Sequence, residues 1–164
     1  MLSTNTHFVN IMLGMNITDI CDDIINLYRD MDKKISEIME EIGSLITNIP
    51  GIGVTLGAII LSEIGDISRF KSADKLAAFT NIDPSIKQSG NYSSNKNPYL
   101  RRALCMACTP AVQFDPMFQT YYLKKHAEGK NYMTTMGHIS KKMLCVIYAV
   151  LRDNREYQLM LPAT

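Results

Sequence analysis

The pair Ser89-Gly90, with Lys87 and Gln88 before it, sits inside the longest polar stretch of the chain, residues 85–97. A serine hydroxyl serves as a nucleophile when it is exposed and when charge developing on its target is stabilised. Gly90 lets a backbone approach a phosphate closely, and Lys96, Arg101 and Arg102 follow soon after. Arginines can clamp phosphate oxygens through paired N–H donors. No triad accompanies this serine, and in isolation a serine in a polar loop is a loop residue. A second stretch, Ile49-Pro50-Gly51-Ile52-Gly53-Val54, has the make-up of a turn between two helices. Pro50 lacks a backbone N–H and cannot continue a helix. Gly51 and Gly53 can adopt positive φ and admit a neighbouring backbone, and Ile52 can bury itself between the helices. Amides at the start of the second helix, from Gly53 and Val54 onward, would then point outward at the positive end of a dipole, where a phosphate fits. The competing reading is an αα-hairpin turn that touches nothing.

The remaining clusters point less clearly to chemistry. Cys105 and Cys108 have metal-ligand spacing, but they lie in an apolar helical pattern with no second pair, so both read as core. His138, followed by Lys141 and Lys142, can face a phosphate or simply line a solvated helix face. Asp66, Asp83 and Asp115 each stand beside a turn, as caps do. The several convergent carboxylates of a two-metal nuclease are not visible.

The elements that must position these residues read as helices throughout. From Ile17 two apolar rows keep a heptad: Ile17, Ile24, Met31, Ile38, Leu45 and, four residues on, Cys21, Tyr28, Ile35, Ile42, Ile49. This predicts a long coiled-coil helix over 17–48 that needs a partner helix, most simply a second copy of the chain, the other candidate being a helix upstream of this sequence. A helix follows over Thr55–Ile64, then a break with a capping signal at Gly65–Phe70. Ser72 opens a short helix that ends before Asp83-Pro84. Pro98 fits the first position of another, which Pro110 should kink or end. Asp115-Pro116 starts the next and Gly129 closes it. The last spans roughly 134–154, with Ile139, Met143, Ile147 and Val150 on one face. Strand signals are absent, so the expected class is all-α, with an irregular end over 1–16, a helical domain over 49–157 and a tail over 158–164.

Composition constrains partners. No apolar run is long enough to span a bilayer, so no membrane is expected. The start lacks a secretory pattern, and four scattered cysteines then read as reduced thiols in cytoplasm. The net charge of +1 is uneven. Residues 1–48 carry eight acids against three Lys or Arg, whereas residues 83–164 carry eleven Lys or Arg against five acids. No acid lies between Asp83 and Asp115. A polyanion would bind the C-terminal half, unless this is only a solvated basic face.

Five pieces in order resemble the IS-one-ten family of bridge-RNA-guided insertion-sequence transposases. They are Ile49-Pro50-Gly51-Ile52-Gly53; Glu63-Ile64-Gly65-Asp66-Ile67-Ser68-Arg69-Phe70; Asp83-Pro84-Ser85 with Gln88-Ser89-Gly90; Tyr99-Leu100-Arg101-Arg102-Ala103-Leu104; and His138-Ile139-Ser140-Lys141-Lys142-Met143. The resemblance covers roughly residues 17–157 and is to the C-terminal half of such proteins. It implies an enzyme that cuts and rejoins DNA strands as an oligomer. In the family a RuvC-like N-terminal domain supplies four acids and divalent metal, a coiled coil joins it to a helical domain with a serine nucleophile, and a structured RNA pairs with donor and target DNA. By position Ser89 matches that serine, and residues 17–48 match the coiled coil.

The expected partners are therefore DNA, a structured guide RNA and further copies of the chain through residues 17–49, with no cofactor in this chain itself. The residues expected to contact DNA are Gly51, Ile52, Gly53, Val54, Lys87, Gly90, Lys96, Arg101, Arg102, Lys141 and Lys142. Two departures from the family pattern stand out: the RuvC-like half is not in this sequence, and the segment after Ser89-Gly90, only Asn91 to Asn97, is shorter than usual. The isolated chain is accordingly expected not to recombine DNA. A non-enzymatic helix-hairpin-helix module and a coiled-coil interaction protein remain the other readings.

Overall fold

The computed structural model describes residues 17–80, 82 and 97–159. Every element among them is helical, and the class is all-α. Helix α1 covers Ile17–Ile42 and a 3₁₀ turn covers Leu45–Asn48. Helix α2 is Val54–Ile64, a second 3₁₀ turn is Ile67–Arg69, and α3 is Ala73–Thr80. Helices α4 (Pro98–Phe114), α5 (Pro116–Ala127) and α6 (Tyr132–Asp153) complete the order. The chain divides into two compact units, with the boundary between Glu41 and Ile42.

In the first unit, α1 leaves both apolar rows open to solvent. Ile24, Tyr28, Met31 and Ile38 are about half exposed or more, at 48%, 66%, 50% and 55%. The helix ends six residues short of the expected boundary. Gly43 takes φ +61 and stops it, a conformation glycine adopts without a Cβ penalty. Ser44 then caps the 3₁₀ turn, its hydroxyl accepting from the Ile46 amide at 3.4 Å. The last members of the two heptad rows therefore belong elsewhere. Ile49 is fully buried in the second unit's core, where Leu45 is half-buried.

That core is built around α4 and α6. Helix α4 packs against α2, α5 and α6, and α6 packs against α3, α5 and both 3₁₀ turns. Ile60, Ile64, Leu76, Leu100, Leu104, Phe118, Ile139, Met143, Leu144 and Ile147 have no exposed surface. Capping side chains fix most helix starts. Asn97 accepts from the Leu100 amide at 3.0 Å, and Asn131 from the Thr134 amide at 2.8 Å. Asp115 does so for α5, accepting from the Met117 and Phe118 amides at 2.7 and 3.1 Å. Such caps satisfy amides that the first turn cannot pair internally. Helix α4 continues past Pro110 to Phe114, so the proline does not end it. The carbonyl that loses its partner there belongs to Met106, a residue on the exposed side of α4.

Candidate nucleic-acid interface

The turn ahead of α2 is shaped by Gly51, at φ +90. A Cβ added there would collide with the Ala107 carbonyl oxygen and lie 3.0 Å from the Ala111 nitrogen. The turn backbone is therefore seated directly on α4, and Gly51 faces protein rather than solvent. Ile52 is buried, and its amide donates to the Ile49 carbonyl at 3.0 Å. Gly53 differs from expectation: its φ is −81, and it caps α2 with no side-chain hydrogen bond. Gly53, Val54 and Thr55 are exposed at the start of α2. Of the four turn residues expected to touch DNA, Gly53 and Val54 face solvent, and Gly51 and Ile52 hold the turn in place.

At its other end α2 is tied to the start of α4, where the Asn97 amide donates to Glu63 Oε2 at 2.5 Å. Because Gly51 meets Ala107 while Glu63 meets Asn97, α2 and α4 run antiparallel. Asn97 lies ten residues from Ala107, about 15 Å along α4 at 1.5 Å per residue. Arg101 and Arg102 stand between these levels, exposed and without a charged or aromatic partner among the described residues. The chain thus re-enters α4 from the Ser89 segment at the opposite end of α2 from the amide-rich turn. Ser89, Lys87, Gly90 and Lys96 themselves lie outside the described residues.

Helix α6 sends its neighbouring cations to different neighbours. Lys141 Nζ stands 4.0 Å from Asp74 Oδ1 of α3. Lys142 Nζ lies 4.4 Å above the Tyr121 ring of α5. A cluster the sequence reading did not assemble lies at the α5–α6 corner. Lys125 and Lys130 reach the two Glu128 oxygens at 2.9 and 3.2 Å, and Lys130 Nζ is 3.1 Å from His138 Nε2. Partial burial, then the positive charges of Lys130 and Lys125, hold the His138 pKa below its ordinary value. In that contact the Lys130 ammonium donates and the ring nitrogen accepts. The only sequence signal for this cluster was the spacing of Lys130 and His138 across a helix start.

The two cysteines separate. Cys108 is buried, with Sγ 3.4 Å from Ser140 Oγ, and burial pushes its thiol up to about 12. Cys105 is exposed, which corrects the expectation that both are core. Among the described residues no three His, Cys, Asp or Glu side chains gather to hold a metal ion. Asp66 and Asp115 cap helical turns, as their positions suggested.

Residues 43–123 match the family model described as the IS116/IS110/IS902 transposase family. The match begins where α1 has just ended and runs through the turn, α2, α3, α4 and into α5. Among similar curated proteins, the insertion element IS900 42 kDa protein of Mycobacterium paratuberculosis is 36% identical over 73% of this chain and 31% of its own length. The insertion element IS110 43.6 kDa protein of Streptomyces coelicolor is 28% identical over 82% of this chain and 35% of its own. The pilin gene-inverting protein of Moraxella bovis is 35% identical over 70% of this chain and 38% of its own. The chain spans about a third of the length of these relatives. No helix among the described residues is long and apolar enough to cross a membrane. Together with the helical architecture, the family match and the three relatives establish that this chain belongs to the IS116/IS110/IS902 family of transposases.

Proposed function

We propose that this chain is the DNA-contacting, serine-bearing part of a transposase or recombinase. The observation that carries the reading is that the family-matched segment contains the Ser89-Gly90 stretch, which leads through Asn97 into Arg101 and Arg102, both exposed and lacking an acidic partner among the described residues. Duplex DNA lies against these arginines and against the free amides at the start of α2, at Gly53 and Val54. Lys87, Gly90, Lys96, Lys141 and Lys142 add contacts to the phosphate backbone. In the strand-breaking step Ser89 Oγ bonds to phosphorus and the bond from phosphorus to one deoxyribose oxygen breaks. The serine proton is lost to a base and the leaving sugar oxygen gains one. Charge stabilisation of that step falls outside this chain's own residues, so the isolated polypeptide binds DNA without recombining it. A structured RNA supplies sequence choice.

The exposed apolar rows of α1 support association through residues 17–42 with a second copy of the chain, Leu45 and Ile49 of the same heptads being taken up by the second unit's core. Placing lysine at Ile24 and Ile38 together is expected to halve the mass measured by sedimentation. An unchanged mass would remove the coiled coil from the proposal. The central test supplies the remaining two-thirds of a related transposase in trans with a labelled duplex. A covalent adduct that maps to Ser89 and vanishes in Ser89→Ala is expected. Efficient adduct formation by Ser89→Ala would defeat the nucleophile assignment, and strand transfer by the purified chain alone would defeat its inactivity.

A further inference from the structure

A second cationic site lies away from the turn and α4. The connection after the second 3₁₀ turn and the last turn of α6 enclose an open cavity of about 340 Å³, lined by Ile67, Ser68, Phe70, Lys71, Tyr148 and Arg152. Two of these six side chains are cations and none is an acid. Lys71 and Arg152 are both exposed, and neither forms an ion pair among the described residues.

The walls are held in register. Tyr148, mostly buried, donates its hydroxyl to the Phe70 carbonyl at 3.0 Å, tying α6 to a loop 78 residues away in sequence. The Phe70 amide in turn donates to the Ile67 carbonyl at 3.1 Å. The Arg152 guanidinium stands 5.8 Å from the Tyr148 ring, and that of Arg69 lies 4.7 Å from the Phe70 ring and 4.9 Å from the Phe79 ring. Two guanidinium groups thus rest on or beside aromatic rings here, that of Arg152 in the cavity wall and that of Arg69 behind Phe70. The nearest acid in the loop, Asp66, is engaged by the Ser68 amide at 2.8 Å and the Ser68 hydroxyl at 2.6 Å.

From this we infer that the Lys71–Arg152 cavity is a binding site for one phosphodiester of duplex DNA, a second anchoring point that rests on the DNA-binding reading above. The arginine fork and the lysine ammonium take the non-bridging oxygens. Ile67 and Phe70 offer an apolar wall to the sugar. A bare inorganic phosphate would leave much of the cavity unfilled, which favours an extended backbone. The six residues make no base-reading set, so the site adds affinity without sequence preference.

The test measures affinity of the full chain for a fluorescent duplex as salt is raised. Each phosphate neutralised contributes about 0.9 to the slope of log affinity against log salt. Lys71→Gln with Arg152→Gln removes the one phosphate contact and is expected to lower that slope by about 0.9 and to weaken binding at every sequence tried. Lys33→Gln with Lys34→Gln removes the same charge from α1 and is expected to leave the slope unchanged. Circular dichroism checks that both variants keep the helical fold. If wild-type chain binds with a steep slope and the cavity variant keeps it, the site is wrong and the DNA reading stands. If both variants lose slope equally, general charge explains the effect and the site is overturned. If the wild-type chain binds no duplex, both fall. Should the pair of cations instead govern capture of poly-glutamate but not of duplex, the site is reassigned to an acidic protein.

Discussion

Replacing Gly51 with alanine tests how the turn before α2 is held. The native φ of +90 is a conformation that L-residues rarely adopt, and forcing a side chain into left-handed backbone costs roughly 1–2 kcal/mol. The new Cβ also meets the Ala107 carbonyl and the Ala111 nitrogen. These are helix backbone atoms and cannot swing aside as a side-chain tip would. Overpacking of this kind costs roughly 1–3 kcal/mol. Together the loss is about 2–5 kcal/mol, a large share of the ~5–15 kcal/mol that holds a domain together. Gly53→Ala supplies the internal comparison. Its φ is −81 and nothing lies within 4 Å of the added Cβ, so only the N-cap preference of glycine over alanine is lost, at most about 1 kcal/mol. Urea titration followed by circular dichroism reads the difference. With a slope of about 2 kcal/mol per molar, Gly51→Ala should lower the midpoint by about 1–2.5 M and Gly53→Ala by about 0.5 M or less. Equal midpoints for the two variants would refute the claim that the turn is seated on α4 through Gly51.

Three further predictions concern titratable groups. Under native conditions iodoacetamide should label exposed Cys105 and Cys21 well before buried Cys108, whose thiol burial pushes to about 12; mass spectrometry of the peptides checks the order, and Cys108 should react only after unfolding. The Tyr157 hydroxyl donates to Asp115 Oδ2 at 2.6 Å, and burial and then that bond raise its pKa above the ordinary 10. The native state therefore holds this proton more tightly than the unfolded chain does. The resulting stability is fully present below pH 10 and fades as pH rises above it. Tyr157→Phe should cost about 1 kcal/mol at neutral pH and should flatten the alkaline decline in melting temperature. The His138 pKa is lowered, so between that value and 6.5 the unfolded chain binds more protons and stability falls as the solution is acidified. The NMR titration midpoint of His138 should lie below 6.5, and Lys130→Ala should move it upward.

Much of the helical plan was legible because local rules governed it. Asn97 and Pro98, Asp115 and Pro116, and Gly129 mark boundaries through caps and restricted backbone, and the structure has them there. The buried face of α6, with Ile139, Met143, Ile147 and Val150, follows from helical period alone. The heptad misled at its end. Leu45 and Ile49 fit the period, but Gly43 breaks the helix and both residues serve a different core. Pro110 does not end α4, since a proline costs one hydrogen bond and tertiary packing can hold the helix through it. The candidate site was legible only as residue types. The antiparallel pairing of α2 with α4 follows from contacts across many residues, Gly51 with Ala107 and Glu63 with Asn97. It separates the turn from the end of the Ser89 segment, a separation no spacing rule foretells. Lys71 and Arg152 are distant in sequence and converge through the packing of α6 on α3 and the second 3₁₀ turn, fixed by the Tyr148 bond to Phe70.

Asp115 is the sole residue between Phe114 and Pro116, and its buried carboxylate both caps α5 and receives Tyr157 from the far end of the chain. This corner has no slack. An inserted residue would pull the carboxylate off the α5 amides and unlatch the C-terminal segment at once, so the α4–α5 elbow works as a fixed ruler from which the rest of the helical domain is measured.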